Sequence, residues 1–161
     1  MMATHNDVRC KVLFICTGNI CRSPMAEALF KHLVEQAGLT DQFNIASAGT
    51  TSYHVGEQTH PGTLRVLEEN GIRFEGRSQR LTRADLQNYD YLIGMEDEHI
   101  EDIKAMGPVR GKVARLLDYA PGQPVRDVPD PYYDNTFKQV YALVLAGAEG
   151  LLSEIRRERG I

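Results

Sequence analysis

The sequence predicts an α/β fold: a three-layer αβα sandwich built on a four-stranded parallel sheet. Three observations predict it. Strand-like apolar runs alternate with helical patterns along the chain. The first run, "KVLFICT", is continuously apolar and rich in Val, Ile and Phe, as in a strand buried on both faces. The length of 161 residues suits one domain, and no repeat or linker divides it, so residues 1–161 are read as a single domain.

The elements follow in order. "KVLFICT" is the first strand. "SPMAEALFKHLVEQAG" is the first helix, with Ser23 able to cap, Pro24 at the first helical position and Gly38 as the stop. Its Met25, Leu29 and Leu33 fall at helical spacing. "FNIASAGT" is a second strand ending in small residues, and "HPGTLRVLEENG" is a helix closed by Gly71. "TRADLQNY" is a short helix that enters a third strand, "YDYLIGM". "DEHIEDIKAMG" is helical, and the acidic run "EDEHIED" reads as its solvated start. "GKVARLLDYA" reads as the fourth strand. "PGQPVRDVPDPYYDN" holds four prolines in fifteen residues and is therefore an irregular loop. From Asn135 onward, Phe137, Val140, Tyr141, Val144, Ala148, Leu151, Leu152 and Ile155 form one stripe of a long helix.

Composition narrows the function. Apolar residues make up 42% and charged residues 25%, with a net charge of −4. That is a globular composition without the basic face a general nucleic-acid binder needs. No run is long enough to span a membrane, and "MMATHNDVRCK" lacks the apolar core of a secretory leader, so the cytoplasm is expected. The three cysteines, Cys10, Cys16 and Cys21, are no disulfide framework. Cys10, ahead of the strand, is read as having no part in chemistry. The five histidines lack zinc-site spacing, so neither a metal nor another cofactor is expected.

The chemistry gathers at "CTGNICRS", residues 16–23. In a parallel α/β sheet, ligands bind beyond the carboxyl ends of the strands, where this stretch falls. A turn from strand into helix points backbone N–H groups into one concavity, and the helix dipole adds positive potential there. Gly18 and Asn19 tolerate the left-handed angles that such a cradle needs. Arg22 brings a planar fork matched to two oxygens of a phosphate. The same field favours a thiolate at Cys16. A phosphate monoester seated over that sulfur faces a nucleophile, which points to phosphoryl transfer through a cysteinyl-phosphate.

Cys-x5-Arg-Ser after an N-terminal apolar strand resembles the low-molecular-weight protein tyrosine phosphatase family. "SAGT" at Ser47 and "DPYY" at Asp130 resemble that family's second strand end and acid loop, and the order of elements agrees over nearly the whole chain. The resemblance implies that Cys16 attacks phosphorus and that Arg22 binds the equatorial oxygens. Residues Thr17, Gly18, Asn19, Ile20, Cys21, Arg22 and Ser23 then form the phosphate-binding loop. Asn19, Ser23 and Ser47 support that loop, with Ser23 donating to the sulfur. Asp130 is the implied general acid and then base, in preference to Asp127. Tyr132 and Tyr133 wall the pocket on one side, Tyr53 and His54 on the other. Cys21 has two readings. It packs, or, as in similar enzymes, it traps an oxidised Cys16 as a disulfide.

Two departures from the family pattern stand out. Gly76 and Gln79 occupy positions where many members carry His and Arg, and Met95-Glu96 replaces Met-Asp. The partners implied are phosphotyrosine-containing proteins and a cognate tyrosine kinase, with no nucleic acid or membrane, and a monomer or weak dimer is expected. The rival readings are an arginine phosphatase, which usually has Thr where this chain has Ile20, and an arsenate reductase, which needs cysteines beyond Cys21. A non-catalytic phosphotyrosine-binding module is disfavoured by the presence of Cys16, Arg22 and Asp130 together.

Overall fold

A computed structural model describes residues 9–161. The expectation that the N-terminus carries no leader therefore rests mainly on residues outside the described ones. Four strands, β1 (Cys10–Cys16), β2 (Phe43–Gly49), β3 (Tyr91–Gly94) and β4 (Lys112–Arg115), form one sheet in the order β2-β1-β3-β4. All three pairings are parallel. Among the described residues the α-helices are α1 (Arg22–Gln36), α2 (Pro61–Glu69), α3 (Arg83–Asn88), α4 (Asp97–Met106) and α5 (Phe137–Arg159).

The unbroken apolar run of β1 has a direct cause. Side chains alternate across a strand, and both faces of this one are covered. Val12 and Phe14 join a core shared with α1, α2 and α5. Leu13 and Ile15 point the other way, into a second core with Leu86 of α3 and Ile103 of α4. The predicted three layers follow from that division. Phe30 of α1 sits edge-on between Phe14 and Phe43, with ring centroids 5.5 and 5.6 Å away.

Several boundaries differ from expectation. The fourth strand does not run through "LLDYA": it ends at Arg115, and Leu116–Tyr119 tighten into a 3-10 turn under α5. Leu116 and Leu117 are buried by that turn, so their apolar character reflects packing onto α5 rather than strand pairing. Helix α1 begins at Arg22, with Cys21 at the capping position, and Ser23 does not cap it. The Ser23 hydroxyl is drawn into the 16–23 loop instead. Helix α3 has a full capping box: Thr82 Oγ1 accepts from the Asp85 amide at 3.3 Å, and Asp85 Oδ2 accepts from the Thr82 amide at 2.9 Å. Among the described residues, no helix is long and apolar enough to cross a membrane.

The sheet order reverses between β1 and β3, since the chain steps out to β2 on one side of β1 and to β3 on the other. A crevice opens at the carboxyl ends of strands at such a reversal. The 16–23 loop leaves β1 at that point, and the turn Met95–His99 leaves β3 beside it.

Candidate active site

Residues 16–23 wrap around the carboxyl end of β1. Asn19 takes φ +56°, the left-handed conformation expected for the cradle. Its side chain, buried with the loop, makes this conformation stable. Asn19 Nδ2 donates to Ser23 Oγ at 2.8 Å and to Ser47 Oγ at 3.0 Å, and its Oδ1 accepts from the Gln79 amide at 2.9 Å. Ser23 Oγ thus already accepts from Asn19, which frees its hydrogen for Cys16 Sγ at 3.0 Å. The Ser23 amide also faces that sulfur, at 3.5 Å. On the far side, Ser47 donates to Glu27 Oε1 at 2.6 Å. A hydrogen-bonded chain therefore runs from Glu27 through Ser47, Asn19 and Ser23 to the sulfur.

The cavity above Cys16 measures about 170 Å³. Cys16, Thr17, Gly18, Ile20, Cys21 and Arg22 form its floor, and Tyr53, His54, Asp130, Tyr132 and Tyr133 its walls. His54 lies directly over Gly18, where a Cβ would stand 2.7 Å from the ring. Tyr132 packs edge-on against Tyr133 and tilts against His54, with centroids 4.8 and 5.8 Å away. Tyr53 and Tyr133 are exposed at the rim. The structure thus gathers every residue that the sequence nominated, Ser47 and Asn19 as buried supports among them. A larger surface hollow of about 590 Å³ between α2 and α5 contains no cysteine, and its His60 is bound up in capping α2.

Arg22 is buried at 2% exposure. Burial by itself lowers the affinity of a guanidinium for its proton, but Cys16, Glu96 and Asp130 together push it above its ordinary range. Its Nη1 donates to the Glu96 carboxylate and to the Val128 carbonyl, the latter at 2.9 Å. Those two acceptors use both Nη1 hydrogens. Nε and Nη2 remain, and Nη2 lies 3.6 Å from Asp130 Oδ2. This Nε–Nη2 edge is a fork of the kind that grips two oxygens of one phosphate.

Asp130 is held by its own loop, its Oδ1 accepting from the Tyr132 amide at 3.0 Å. Asp127, the competing carboxylate, is engaged elsewhere. Its Oδ1 accepts from the Asp97 amide at 3.1 Å and lies 3.5 Å from Arg115 Nη1. Burial pushes the Cys21 thiol up to about 12, with the Cys16 and Asp130 charges adding to it. Cys21 is buried on the floor of the cavity together with Cys16. Burial likewise raises Cys10 to about 12, at the opposite end of β1.

Some residues of the site were not anticipated. The acidic run "EDEHIED" is not simply solvated: Glu96 pairs with Arg22, and His99 is fully buried, while Asp97, Glu98 and Glu101 are exposed as expected. Glu27 also belongs to the site: it stands one turn beyond Ser23 and so faces the same side of α1. The departures at Gly76 and Gln79 leave the loop well supported. Gln79 Nε2 donates to the Ser47 carbonyl at 2.9 Å, and Ser78 Oγ donates to the Gly18 carbonyl at 2.8 Å.

Comparison with known proteins agrees with this geometry. The family model described as low molecular weight phosphotyrosine protein phosphatase matches residues 11–160. The chain is 41% identical to the low molecular weight protein-tyrosine-phosphatase YfkJ of Bacillus subtilis over 151 residues, covering 92% of this chain and 97% of that protein. The crystal structure of YfkJ superposes with a TM-score of 0.90, covering 93% of this chain and 96% of that one at 40% identity. PtpA of Staphylococcus aureus, bearing the same enzyme name, is 36% identical over 93% of this chain and 96% of its own. DARP, a Drosophila arginine phosphatase, superposes with a TM-score of 0.86 at 28% identity, over 91% of this chain and 98% of that one.

Proposed function

Because the chain belongs to the low molecular weight phosphotyrosine protein phosphatase family, we propose that it hydrolyses phosphotyrosine in proteins through a cysteinyl-phosphate, without a metal. Cys16 Sγ attacks phosphorus as the thiolate, and the bond from phosphorus to the aryl oxygen breaks. Asp130 gives its proton to the departing phenolate. Water then attacks the phosphocysteine, Asp130 takes a proton from that water, and the sulfur leaves as thiolate with release of inorganic phosphate. The Ser23 hydroxyl and amide stabilise the sulfur when it leaves. Backbone amides of the loop and the Nε–Nη2 edge of Arg22 supply the positive field that a cation supplies in other phosphoryl transfers.

The observation that carries this reading is the coincidence, in one small cavity, of a cysteine sulfur hydrogen-bonded to Ser23, a buried guanidinium with a free fork, and a carboxylate beside that fork. The flat aromatic walls and Ile20 favour an aryl ester. DARP supports a second reading, an arginine phosphatase on the same fold. Arsenate reduction lacks its electron relay, since no cysteine follows Cys21.

The test is a side-by-side assay of phosphotyrosine, phosphoarginine and arsenate. Phosphotyrosine turnover is expected to dominate, and dominant phosphoarginine turnover would transfer the chain to the second reading. Cys16→Ser is expected to abolish turnover of para-nitrophenyl phosphate while still binding inorganic phosphate. Residual activity at the wild-type level would remove Cys16 as nucleophile.

A further inference from the structure

His99 lies on the first turn of α4, completely buried behind the 16–23 loop. Its Nδ1 accepts two backbone hydrogen bonds, from the Met95 amide at 3.2 Å and the Glu96 amide at 3.0 Å. A ring nitrogen that accepts carries no hydrogen, so in the neutral ring the hydrogen sits on Nε2. Nε2 faces Thr17 Oγ1 at 3.0 Å and donates to it. Close packing of the ring onto the sheet depends on Gly94, where a Cβ would stand 2.9 Å from His99 Cβ.

The turn that His99 gathers touches Arg22, the loop that carries Asp130, and the 16–23 loop. Glu96 holds Arg22 Nη1, the Met95 carbonyl accepts from the Val128 amide at 2.8 Å, and the Val128 carbonyl accepts from Arg22. The Asp97 amide donates to Asp127 of the acid loop. Thr17, the first residue after the nucleophile, is the point at which this turn is tied to the cradle.

We propose that His99 is a positioning residue: through Nδ1 it shapes the turn after β3, through Nε2–H it anchors Thr17, and so it keeps Arg22, the acid loop and the sulfur in mutual register. Helix capping alone would need only the Nδ1 acceptor. The bond to Thr17 is the part that links His99 to chemistry. This inference rests on the phosphatase reading above for its kinetic readout, but the link itself is a property of the phosphate site.

The full chain is compared with His99→Phe, His99→Gln, Thr17→Val and the double variant His99→Phe/Thr17→Val. Phe keeps an aromatic ring there and loses all three hydrogen bonds. Gln carries an acceptor and a donor on one end group, so it can bond the amides and Thr17 together. Folding is checked by thermal melting, kcat and KM with para-nitrophenyl phosphate, and affinity with inorganic phosphate by calorimetry. His99→Phe and Thr17→Val are each expected to lower kcat by roughly 10- to 100-fold, the scale of a small misplacement of reacting groups, and to weaken phosphate. The double variant should be no worse than His99→Phe, because the two remove one interaction. His99→Gln should recover kcat to within about threefold, as expected where one hydrogen bond of the same sense is restored.

A Thr17→Val enzyme with wild-type kcat and phosphate affinity would overturn the proposal, and this holds even if His99→Phe does not fold. Full additivity in the double variant would overturn it too, by reducing His99 to a helix cap. Failure of the wild-type chain to turn over any ester would instead count against the phosphatase reading, and the tether would still be judged by phosphate affinity.

Discussion

His99 also makes a prediction that concerns stability and not rate. Burial, with the positive charge of Arg22 behind it, pushes its pKa from an ordinary 6.5 down to about 4, against a weaker upward pull from Asp127 and Asp130. The unfolded chain takes up this proton near 6.5, whereas the folded chain resists it until about 4. Between those values the unfolded state binds more protons, so stability falls as pH falls, by up to about 3 kcal/mol. His99→Gln has no such group, and its melting temperature should decline less between pH 6.5 and 4 than that of the wild type. Parallel declines would show that the imidazole is not held neutral. Asp130 carries a separate prediction. Asp130→Ala should slow phosphotyrosine far more than an ester with a good leaving group, since only a poor leaving group needs the proton. An equal loss on both would remove Asp130 as the acid. These residues were not equally legible. Cys16, Arg22 and Ser23 lie within eight consecutive positions, so spacing alone displayed them. Glu96 and His99 reach the site only because β3 lies beside β1, and nothing local in "EDEHIED" marks that juxtaposition.

At the scale of elements, α5 tests how tightly the layers fit. Glycine in an exposed helix interior is usually worth replacing with alanine, with a gain near 1 kcal/mol. Gly150 should behave in the opposite way, because a Cβ there would stand 1.8 Å from the Tyr119 carbonyl oxygen on the turn that follows β4. Gly150→Ala is expected to destabilise the protein by about 1–3 kcal/mol, as overpacking does, read from the denaturation midpoint. A more stable variant would show that the turn can retreat at no cost. The same contact explains why the fourth strand was overestimated. "RLLDYA" is apolar enough to read as strand, and a short apolar run cannot be told from a buried turn by periodicity. Only the close approach of α5, with Gly147 against Leu116 and Gly150 against Tyr119, settles how that run is spent. The parallel sheet and its helices were legible because each apolar run has one period and a clear break. The start of α1 was misread by two residues because Ser23, a good cap by type, is used by the loop instead.

Over the whole molecule, occupancy of the proposed site should stabilise the fold. On the proposed function, phosphate should bind the folded chain alone, so at 100 times its dissociation constant it should add about 2.7 kcal/mol. For a domain of this size that raises the melting temperature by roughly 5–10 °C. Cys16→Ser should keep the rise, and Arg22→Lys should lose most of it, because a lysine cannot present a two-pronged edge. An unchanged rise in Arg22→Lys would mean that the amides bind the anion unaided. The rim of the cavity offers a convenient readout. The chain has seven tyrosines and no tryptophan, and Tyr53, Tyr132 and Tyr133 stand at the mouth. Its ultraviolet emission is therefore pure phenol fluorescence, with nearly half of the fluorophores at the mouth of the proposed anion site. Occupancy can be titrated on the unlabelled protein, with no dye to crowd the entrance.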